Sequence, residues 1–249
     1  MKKLILICLI LNLLIVSCSK KNDPVTVVEN QKVIKLLRYG SDNGGYYDYT
    51  YNGKQIIKEK FSGNNSNLPR VSTFSYQSAG KLKEIHTDYL GKSINTRSEY
   101  IFDNDRVVRI STYNDVTNEL LNYTLREYPV GKVINKYFSK QDALIQKNEY
   151  LLTVDGKNYT SMKTFSGETL SYTTNILKID DKENPFRLFP VGYTAFTNTN
   201  NTINVDFIFA NPANNQSQQN KLEYNSMGYP TKEINQNGVV TRIFEYVIE

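Results

Sequence analysis

The stretch FSYQSAGKLKEI, residues 74–85, decides the fold because it contains a complete β-hairpin signal. Phe74 and Tyr76 are separated by one residue, so on a strand of period two both rings lie on the same face. Gly80 supplies the positive φ that a tight hairpin turn requires. A second strand begins at Lys81 and Leu82. The stretch therefore predicts two antiparallel strands joined by a short turn.

Versions of this hairpin recur along the chain at a nearly regular spacing. Each has two aromatic or apolar anchors one residue apart, then a polar turn, then a basic residue. The second anchors of successive units are spaced 25, 26, 26 and 24 residues apart, at Tyr51, Tyr76, Phe102, Tyr128 and Leu152. Two strands of about 5–6 residues with two loops of about 2–5 residues fill such a length. Later units carry their second anchors at Tyr224 and Tyr246.

A lone hairpin is only marginally stable in water, so each unit must bury its aromatic face against its neighbours. We therefore predict an all-β domain, an antiparallel meander of repeated β-hairpins that strand twist curls into a strongly curved sheet or half-open barrel. The alternation breaks at 185–200, where Phe186, Leu188, Phe189 and Tyr193 are too dense for a simple strand. We expect one short helix or an apolar loop there, covering one mouth of the curled sheet.

Two polar segments near this break are predicted to lie outside the strands. Residues 180–184 are expected to form an acidic turn. Residues 211–220 are rich in asparagine and glutamine and contain Pro212, which predicts a long, mobile loop. Between these segments, Val205, Phe207 and their neighbours alternate with polar residues, which predicts a strand facing the core.

The aromatic anchor, polar-glycine turn and following Lys/Arg-Leu/Val resemble the YD/RHS-type repeat, with Phe102-Asp103 as the nearest match. The whole chain resembles uncharacterised Bacteroidota-type lipoproteins built from such hairpins. Residues 180–186 and 228–232 fit this resemblance, which covers roughly 33–249. The resemblance implies a hairpin-repeat fold and an envelope location, and it implies no activity.

The N-terminus has the pattern of a lipoprotein signal peptide. Lys2 and Lys3 precede an apolar run over residues 4–16, which is too short to span a bilayer comfortably. Residues 15–18 (IVSC) resemble a bacterial lipobox, in which the cysteine is acylated and becomes the mature N-terminus. We therefore predict that Cys18 carries acyl chains such as palmitate. An uncleaved anchor or an ordinary secretory signal is the alternative.

This reading divides the chain into a signal peptide over 1–17, a lipidated N-terminus and tether over 18–31, and a single hairpin-repeat domain over 32–249. Ser19 does not resemble the inner-membrane retention signal of some Gram-negative bacteria. The predicted location is therefore the outer membrane, held through the lipid anchor, on either its periplasmic or its cell-surface face.

Composition and charge exclude several classes of protein. Of the 249 residues, the two cysteines, Cys8 and Cys18, both lie in the first 18, so the domain has no disulfide, cysteine metal site or cysteine nucleophile. The formal net charge is +5, and removal of Lys2 and Lys3 with the signal peptide leaves +3. This mild excess is spread along the chain, so no nucleic-acid partner is predicted. No cofactor is predicted either.

Candidate site residues are few. Tyr46, Tyr47 and Tyr49 form the densest tyrosine run and are a candidate ligand-binding surface, although alternation places Tyr46 on the opposite face from the other two. Part of this run is expected in the core.

Other polar residues are weaker candidates for a functional site. A weak candidate for a metal site is formed by Asp180, Asp181 and Glu183, whose oxygen atoms could bind a hard cation. The alternative is that these residues simply form a turn. His86 is the only histidine and is expected at an ordinary sheet position.

Three functions compete on these observations. The first is a non-enzymatic envelope lipoprotein that binds or scaffolds an envelope protein or a glycan. The second is a hydrolase of an envelope or extracellular polymer, whose two unidentified carboxylates would lie about 5–9.5 Å apart. The third is a pore-forming barrel, which needs strands of about 9–11 residues with an apolar outer band. Shorter strands with polar outer faces disfavour the third, and missing catalytic motifs favour the first.

Replacing the predicted lipidated cysteine tests the anchor. A Cys18→Ala variant should move from the membrane to the soluble fraction, because acyl chains supply about 0.8 kcal/mol of membrane affinity per buried CH₂. Immunoblotting of fractionated cells measures the shift, and Cys8→Ala is the matched control that stays with the membrane. Membrane retention of the Cys18→Ala variant would contradict the lipoprotein interpretation.

Overall fold

The computed structural model describes residues 33–64 and 67–249, and these residues form sixteen β-strands and two short 3₁₀ helices. The strands are β1 (Ile34–Ser41), β2 (Gly45–Asn52), β3 (Gln55–Phe61), β4 (Arg70–Tyr76), β5 (Leu82–Tyr89), β6 (Asn95–Asp103), β7 (Arg106–Asn114), β8 (Leu120–Glu127), β9 (Lys132–Ser139), β10 (Leu144–Leu152), β11 (Tyr159–Ser166), β12 (Thr169–Glu183), β13 (Asn200–Phe209), β14 (Gln216–Tyr224), β15 (Pro230–Asn235) and β16 (Val240–Ile248). The 3₁₀ helices are Pro185–Leu188 and Pro212–Asn214. Residues 1–32, including Cys18, lie outside this description.

The strands form one closed antiparallel barrel. Each strand pairs with the next along the chain, and β16 pairs with β1. The closing register sets Leu36 opposite Tyr246 and Tyr39 opposite Phe244. The predicted all-β meander is therefore confirmed, and its curvature reaches full closure, which leaves none of the sixteen strands at a sheet edge.

The aromatic anchors of the hairpins face the interior. Tyr49, Phe74 and Tyr100 belong to one buried cluster with Leu36 and Phe244. Because directly opposite residues of an antiparallel pair share a face, this cluster fixes which side of every strand points inward. The barrel thus has its core inside and its solvated face outside.

Tyrosine at the second anchor position ties neighbouring strands together. The Tyr51 hydroxyl donates to the Leu36 carbonyl at 2.8 Å, and the Tyr76 hydroxyl donates to the Ile56 carbonyl at 2.7 Å. Tyr128 makes the equivalent bond to the Val107 carbonyl at 2.9 Å. Burial raises the pKa of Tyr76 to about 12, so this hydroxyl stays protonated and remains a donor at neutral pH. A ring with a polar tip both fills the interior and satisfies a backbone carbonyl.

Residues 184–199, here called the plug, connect β12 to β13 and fill one end of the barrel. The Asn184 side chain caps the 3₁₀ helix by accepting from the Phe186 N–H. The Phe186 ring lies 5.1 Å from that of Tyr39, and the Phe189 ring lies 5.1 Å from that of Tyr49. The predicted short helix or apolar loop near 185–200 is therefore confirmed.

The prediction of an acidic turn over 180–184 is wrong, because β12 continues to Glu183. Its pairing with β13 absorbs three register shifts between Ile176 and Glu183. The Asp180 carboxylate accepts from the Asn201 N–H at 3.0 Å, so side-chain oxygens replace regular ladder bonds along this irregular stretch. Long-range pairing has overridden the local turn preference.

The predicted loop over 211–220 is also wrong, because β14 begins at Gln216. The turn shrinks to a 3₁₀ helix at Pro212–Asn214, capped by the side chain of Asn211. Glutamine and asparagine have low strand propensity, but ladders with β13 and β15 on either side hold the backbone of this stretch.

The outer face of the barrel carries ion pairs and cation–π contacts together with exposed apolar side chains such as Ile57, Ile101 and Ile208. Arg38 pairs with Asp48 at 2.6 Å, and Lys136 pairs with Glu127 at 2.6 Å. The Arg109 guanidinium lies 4.2 Å from the Tyr123 ring centroid. In the part of the chain that the structure describes, no helix is long and apolar enough to cross a membrane.

Gly192 lies so close to the wall that an added side chain would not fit, and it allows a direct test of the plug. Its φ is +92°, and a Cβ there would overlap the Val107 side chain. Gly192→Ala should therefore lower the free energy of unfolding by about 2–4 kcal/mol, which combines backbone strain with overpacking. Denaturant titration measures this loss.

Gly156→Ala is the matched control. Its φ is +69°, but an added Cβ meets nothing within 4 Å. Its free energy of unfolding should fall by only about 1–2 kcal/mol, which is the cost of backbone strain at a positive φ. Equal losses for the two variants would contradict the tight seating of the plug against β7.

Candidate functional site

The interior of the barrel divides into an apolar end and a polar end. The plug fills the apolar end, where Phe186, Phe189 and Tyr193 pack against the anchor rings. The polar end lies across β10 to β14, close to the turns opposite the plug. We call it the polar lumen, and its inward-facing side chains are Gln146, Asn148, Thr164, Ser166, Tyr172, Thr174, Phe207, Phe209, Gln216 and Gln218.

Cross-strand register places these side chains on the inner face. Tyr150 contacts the plug residue Phe196, with ring centroids 6.1 Å apart, so Tyr150 points inward. Asn148, two residues before it, shares that face and lies opposite Thr164. Thr164 lies opposite Tyr172, which in turn lies opposite Phe209. A second row runs from Thr174 to Phe207 and on to Gln216.

Three rings form the only aromatic group of the polar lumen among the described residues. The Tyr172 ring lies 5.3 Å from that of Phe209 and 6.3 Å from that of Phe207. All three residues are half-buried, and none belongs to the apolar cluster around the plug. The amide-bearing residues Gln146, Gln216 and Gln218 are exposed although they face inward, so this end of the interior is open to solvent.

Two threonine hydroxyls beside the rings lack hydrogen-bond partners. The Oγ1 atoms of Thr164 and Thr174 are buried, and no group in the described residues bonds to them. Buried polar atoms in folded proteins are nearly always bonded to protein or water. These hydroxyls are therefore unsatisfied polar groups within the wall, beside the three rings.

A separate cavity of about 250 Å³ lies where the plug meets the wall. Asn184, Phe186 and Asn201 line one side, and Glu233 and Arg242 line the other. Arg242 pairs with Glu233 at 3.3 Å. This cavity is lined by an ion pair that is already formed, unlike the polar lumen.

A buried carboxyl anchors the plug. Glu59 is 1% exposed, and the Tyr193 hydroxyl donates to its Oε2 atom. Burial first, and then the nearby Glu59 carboxylate, hold the pKa of Tyr193 well above its usual value. Tyr193 therefore remains a donor, and its bond to Glu59 fixes the position of the plug.

The predicted tyrosine surface is divided between two faces. Tyr46 lies outside, where its hydroxyl donates to Asp42 at 2.8 Å and Arg38 lies 5.0 Å from its ring centroid. Tyr47 and Tyr49 lie inside, and both stack with Tyr39 at 4.8 and 6.2 Å. Ligand binding by these residues stays a prediction, but the three rings do not form one surface.

The weak metal candidate is likewise separated. Asp180 accepts from the Tyr224 hydroxyl, Asp181 is exposed, and Glu183 pairs with Arg187 at 3.2 Å. Within residues 33–64 and 67–249, no group of three or more His, Cys, Asp or Glu side chains could hold a metal ion.

His86 lies on the outer face, with Nδ1 2.9 Å from Asp115 and Nε2 3.1 Å from Glu84. The Asp115 hydrogen bond is the largest cause of its raised pKa. Both nitrogens are engaged by carboxylates in an exposed surface network, which agrees with the ordinary sheet position expected for this residue.

Sequence reasoning missed the polar lumen. Phe207 and Phe209 were expected to face the core, and they do face inward, but toward the end that the plug leaves open. Residues 216–219 (QSQQ) are all polar, so the segment has no period-two alternation of apolar and polar residues that would indicate a strand. Its high amide content favoured a loop.

Comparison with known proteins bears on the fold. No family model matches the sequence, and no curated protein matches it. A porin-like protein from Bacteroides vulgatus matches with a TM-score of 0.53 at 9% identity, covering 86% of this chain and 98% of that one. This likeness shows a shared barrel fold.

Two toxin structures also match. A Photorhabdus luminescens Tc holotoxin pore has a TM-score of 0.32 at 11% identity, covering 80% of this chain and 12% of that one. A TcdB2-TccC3-Cdc42 structure has a TM-score of 0.24 at 14% identity, covering 84% of this chain and 15% of that one. The kinship of the hairpins to the YD/RHS-type repeat stays a prediction.

Removing the hydroxyl that binds the buried carboxyl tests how the plug is held. Tyr193→Phe should lower the free energy of unfolding by about 1–3 kcal/mol, because a buried Glu59 oxygen loses its donor. Denaturant titration gives the value. The double variant Glu59→Met/Tyr193→Phe removes both partners and should recover most of the loss; a double variant less stable than Tyr193→Phe would contradict this account.

Proposed function

We propose that this chain is a non-enzymatic envelope lipoprotein whose barrel binds a polar ligand inside its polar lumen. The observation that carries the proposal is the contrast within the interior. One end is filled by the plug, and the other is lined by uncharged polar side chains that remain exposed to solvent. Concave sites with a few convergent polar groups are the usual form of ligand sites.

The outer wall supports an aqueous rather than a lipid surrounding for the barrel. Lys147 and Glu149 lie near the middle of β10 and face outward, 3.3 Å apart. Lys163, opposite Glu149 on β11, also faces outward. A lysine on a lipid-facing barrel strand costs about 2–4 kcal/mol at the bilayer midplane. A wall with such residues on adjacent strands favours a water-exposed barrel over a lipid-facing pore.

Attachment to the membrane then depends on the predicted acyl chains of Cys18. The proposal places the protein at the outer membrane through this lipid anchor, with residues 19–31 as the tether to the first strand. An envelope protein or a glycan is the partner class that fits an extracytoplasmic binding module.

The interior carboxyls favour binding over hydrolysis. Glu59 is engaged by Tyr193, and Glu233 is engaged by Arg242 at 3.3 Å and by the Thr241 hydroxyl at 2.9 Å. A glycoside hydrolase needs two carboxyls about 5–9.5 Å apart across an accessible cleft. Each of these two groups is instead committed to its own structural partner.

Thiol labelling tests whether the lumen is open. In a full-length chain with Cys8→Ala and Cys18→Ala, an introduced cysteine is the only thiol. Gln218→Cys places it in the lumen, and Ser217→Cys places it on the outer face of the same strand as the matched control. N-ethylmaleimide should label both variants, whereas a bulky polyethylene-glycol maleimide should label Gln218→Cys much more slowly than Ser217→Cys.

Mass spectrometry of the labelled protein gives both rates. Failure of N-ethylmaleimide to reach Gln218→Cys would mean that the lumen is closed to small ligands. Equal labelling of the two variants by the bulky reagent would mean that residue 218 is not inside the barrel. Either result would overturn the proposed ligand-binding lumen.

A further inference from the structure

We propose that the rings of Tyr172, Phe207 and Phe209 are a binding platform for the sugar rings of a neutral oligosaccharide. Amide side chains on both sides of the platform would bond to the sugar hydroxyls. This inference rests on the proposed function, because it needs a lumen that ligands can enter, and it adds the ligand class and the residues that recognise it.

The plug places no aromatic ring over the platform. Among the described residues, the ring contacts of Tyr172, Phe207 and Phe209 are with one another. Other inward rings of the barrel are covered by the plug, as Tyr49 is by Phe189 and Phe74 is by Tyr193. Three half-buried rings without such a cover present faces on which a partly apolar ligand could stack.

The platform is flanked by groups that both donate and accept. On the β10 side it is followed by Thr164, Asn148 and Gln146, and on the β14 side by Gln216 and Gln218. An amide side chain offers one carbonyl and one NH₂ group, and a sugar hydroxyl likewise donates and accepts.

The charges of these strands are on the other face. Lys147 lies over the Phe165 ring at 4.1 Å outside the barrel, and Asp206 accepts from Ser217 at 2.6 Å outside as well. Among the described residues of β10 to β14, an anionic polymer would therefore find no inward-facing cation, and the buried Arg126 guanidinium on β8 is already bonded to Asn135. A purely apolar ligand would leave the amides desolvated and unpaired, which is costly. A neutral, hydroxyl-rich molecule with apolar ring faces fits both conditions.

The size of the platform indicates an oligosaccharide rather than a single sugar. The inward groups extend from Asn148 on β10 to Gln216 on β14, which is four strand spacings. At about 4.8 Å per spacing, this distance is roughly 19 Å. A chain of several sugar rings would be needed to contact all of it.

Isothermal titration calorimetry of the full-length lipoprotein tests the proposal in a detergent without a sugar head group. The probes are the neutral hexasaccharides cellohexaose, xylohexaose, maltohexaose and chitohexaose, with hexagalacturonate as the anionic comparison. At least one neutral probe should bind, and hexagalacturonate should not. Phe207→Leu keeps an apolar side chain but removes the ring face, and it should weaken binding about tenfold or more.

Phe138→Leu is the matched control. Its ring stacks on Tyr123 at 4.9 Å on the outer face, so this variant should bind as the native protein does. Gln218→Ala, an exposed position, gives a second test that leaves the rings intact, and it should also weaken binding. Thermal melting checks that each variant is folded.

Each result bears on a different claim. If Gln218→Cys is labelled by small maleimides but no neutral hexasaccharide binds, the sugar platform is wrong while the open lumen stands. Equal loss of affinity in Phe207→Leu and Phe138→Leu would also overturn the platform, as would preferential binding of hexagalacturonate. A closed lumen in the labelling experiment would instead overturn the proposed function itself.

Discussion

The structure depends on contact between the plug and the aromatic interior of the barrel. A closed sheet of about 8 strands is filled by its own side chains, whereas 16–18 strands enclose a channel. Sixteen strands therefore leave the inward rings of Tyr49 and Phe74 without enough opposing surface. Phe189 and Tyr193 provide that surface from a connection between two strands. The apolar core of this protein thus forms where the plug packs against the inner face of the barrel strands.

This constraint also explains why the two ends of the interior differ. The Tyr193–Glu59 bond and the close approach of Gly192 to Val107 hold the plug against β3 and β7. The inner face of β10 to β14 near the opposite turns receives no such cover, and its side chains change from apolar anchors to glutamine, asparagine and threonine. Polar side chains there keep their hydration, so the lumen is stable without being filled.

The distribution of charge connects the fold to the proposed role. Lysines and glutamates alternate with inward residues along β10 and β11, while the inner face of the same strands carries none. A barrel with ion pairs on its exterior and an uncharged polar lumen across β10 to β14 suits a water-exposed binding module held at a membrane by a separate anchor. The porin-like protein from Bacteroides vulgatus shares the barrel fold of this chain. The fold does not set the function, which depends on the side chains that line each face of the barrel.

By itself, the sequence determined the repeated hairpins and the position of the break, because these depend on neighbouring residues. Long-range pairing decided the ends of β12 and β14, where neighbouring residues favour a turn and a loop. Phe74, Tyr76 and Gly80 specify a hairpin within a few positions, and the dense apolar residues near Phe186 indicate a different element. Only the tertiary structure decided that the sheet closes and which inward residues the plug covers. Closure pairs Leu36 with Tyr246, and the plug bond joins residues 134 positions apart. Local alternation shows that Phe74 and Phe207 both face inward, but only long-range contacts place one in the core and the other in the lumen.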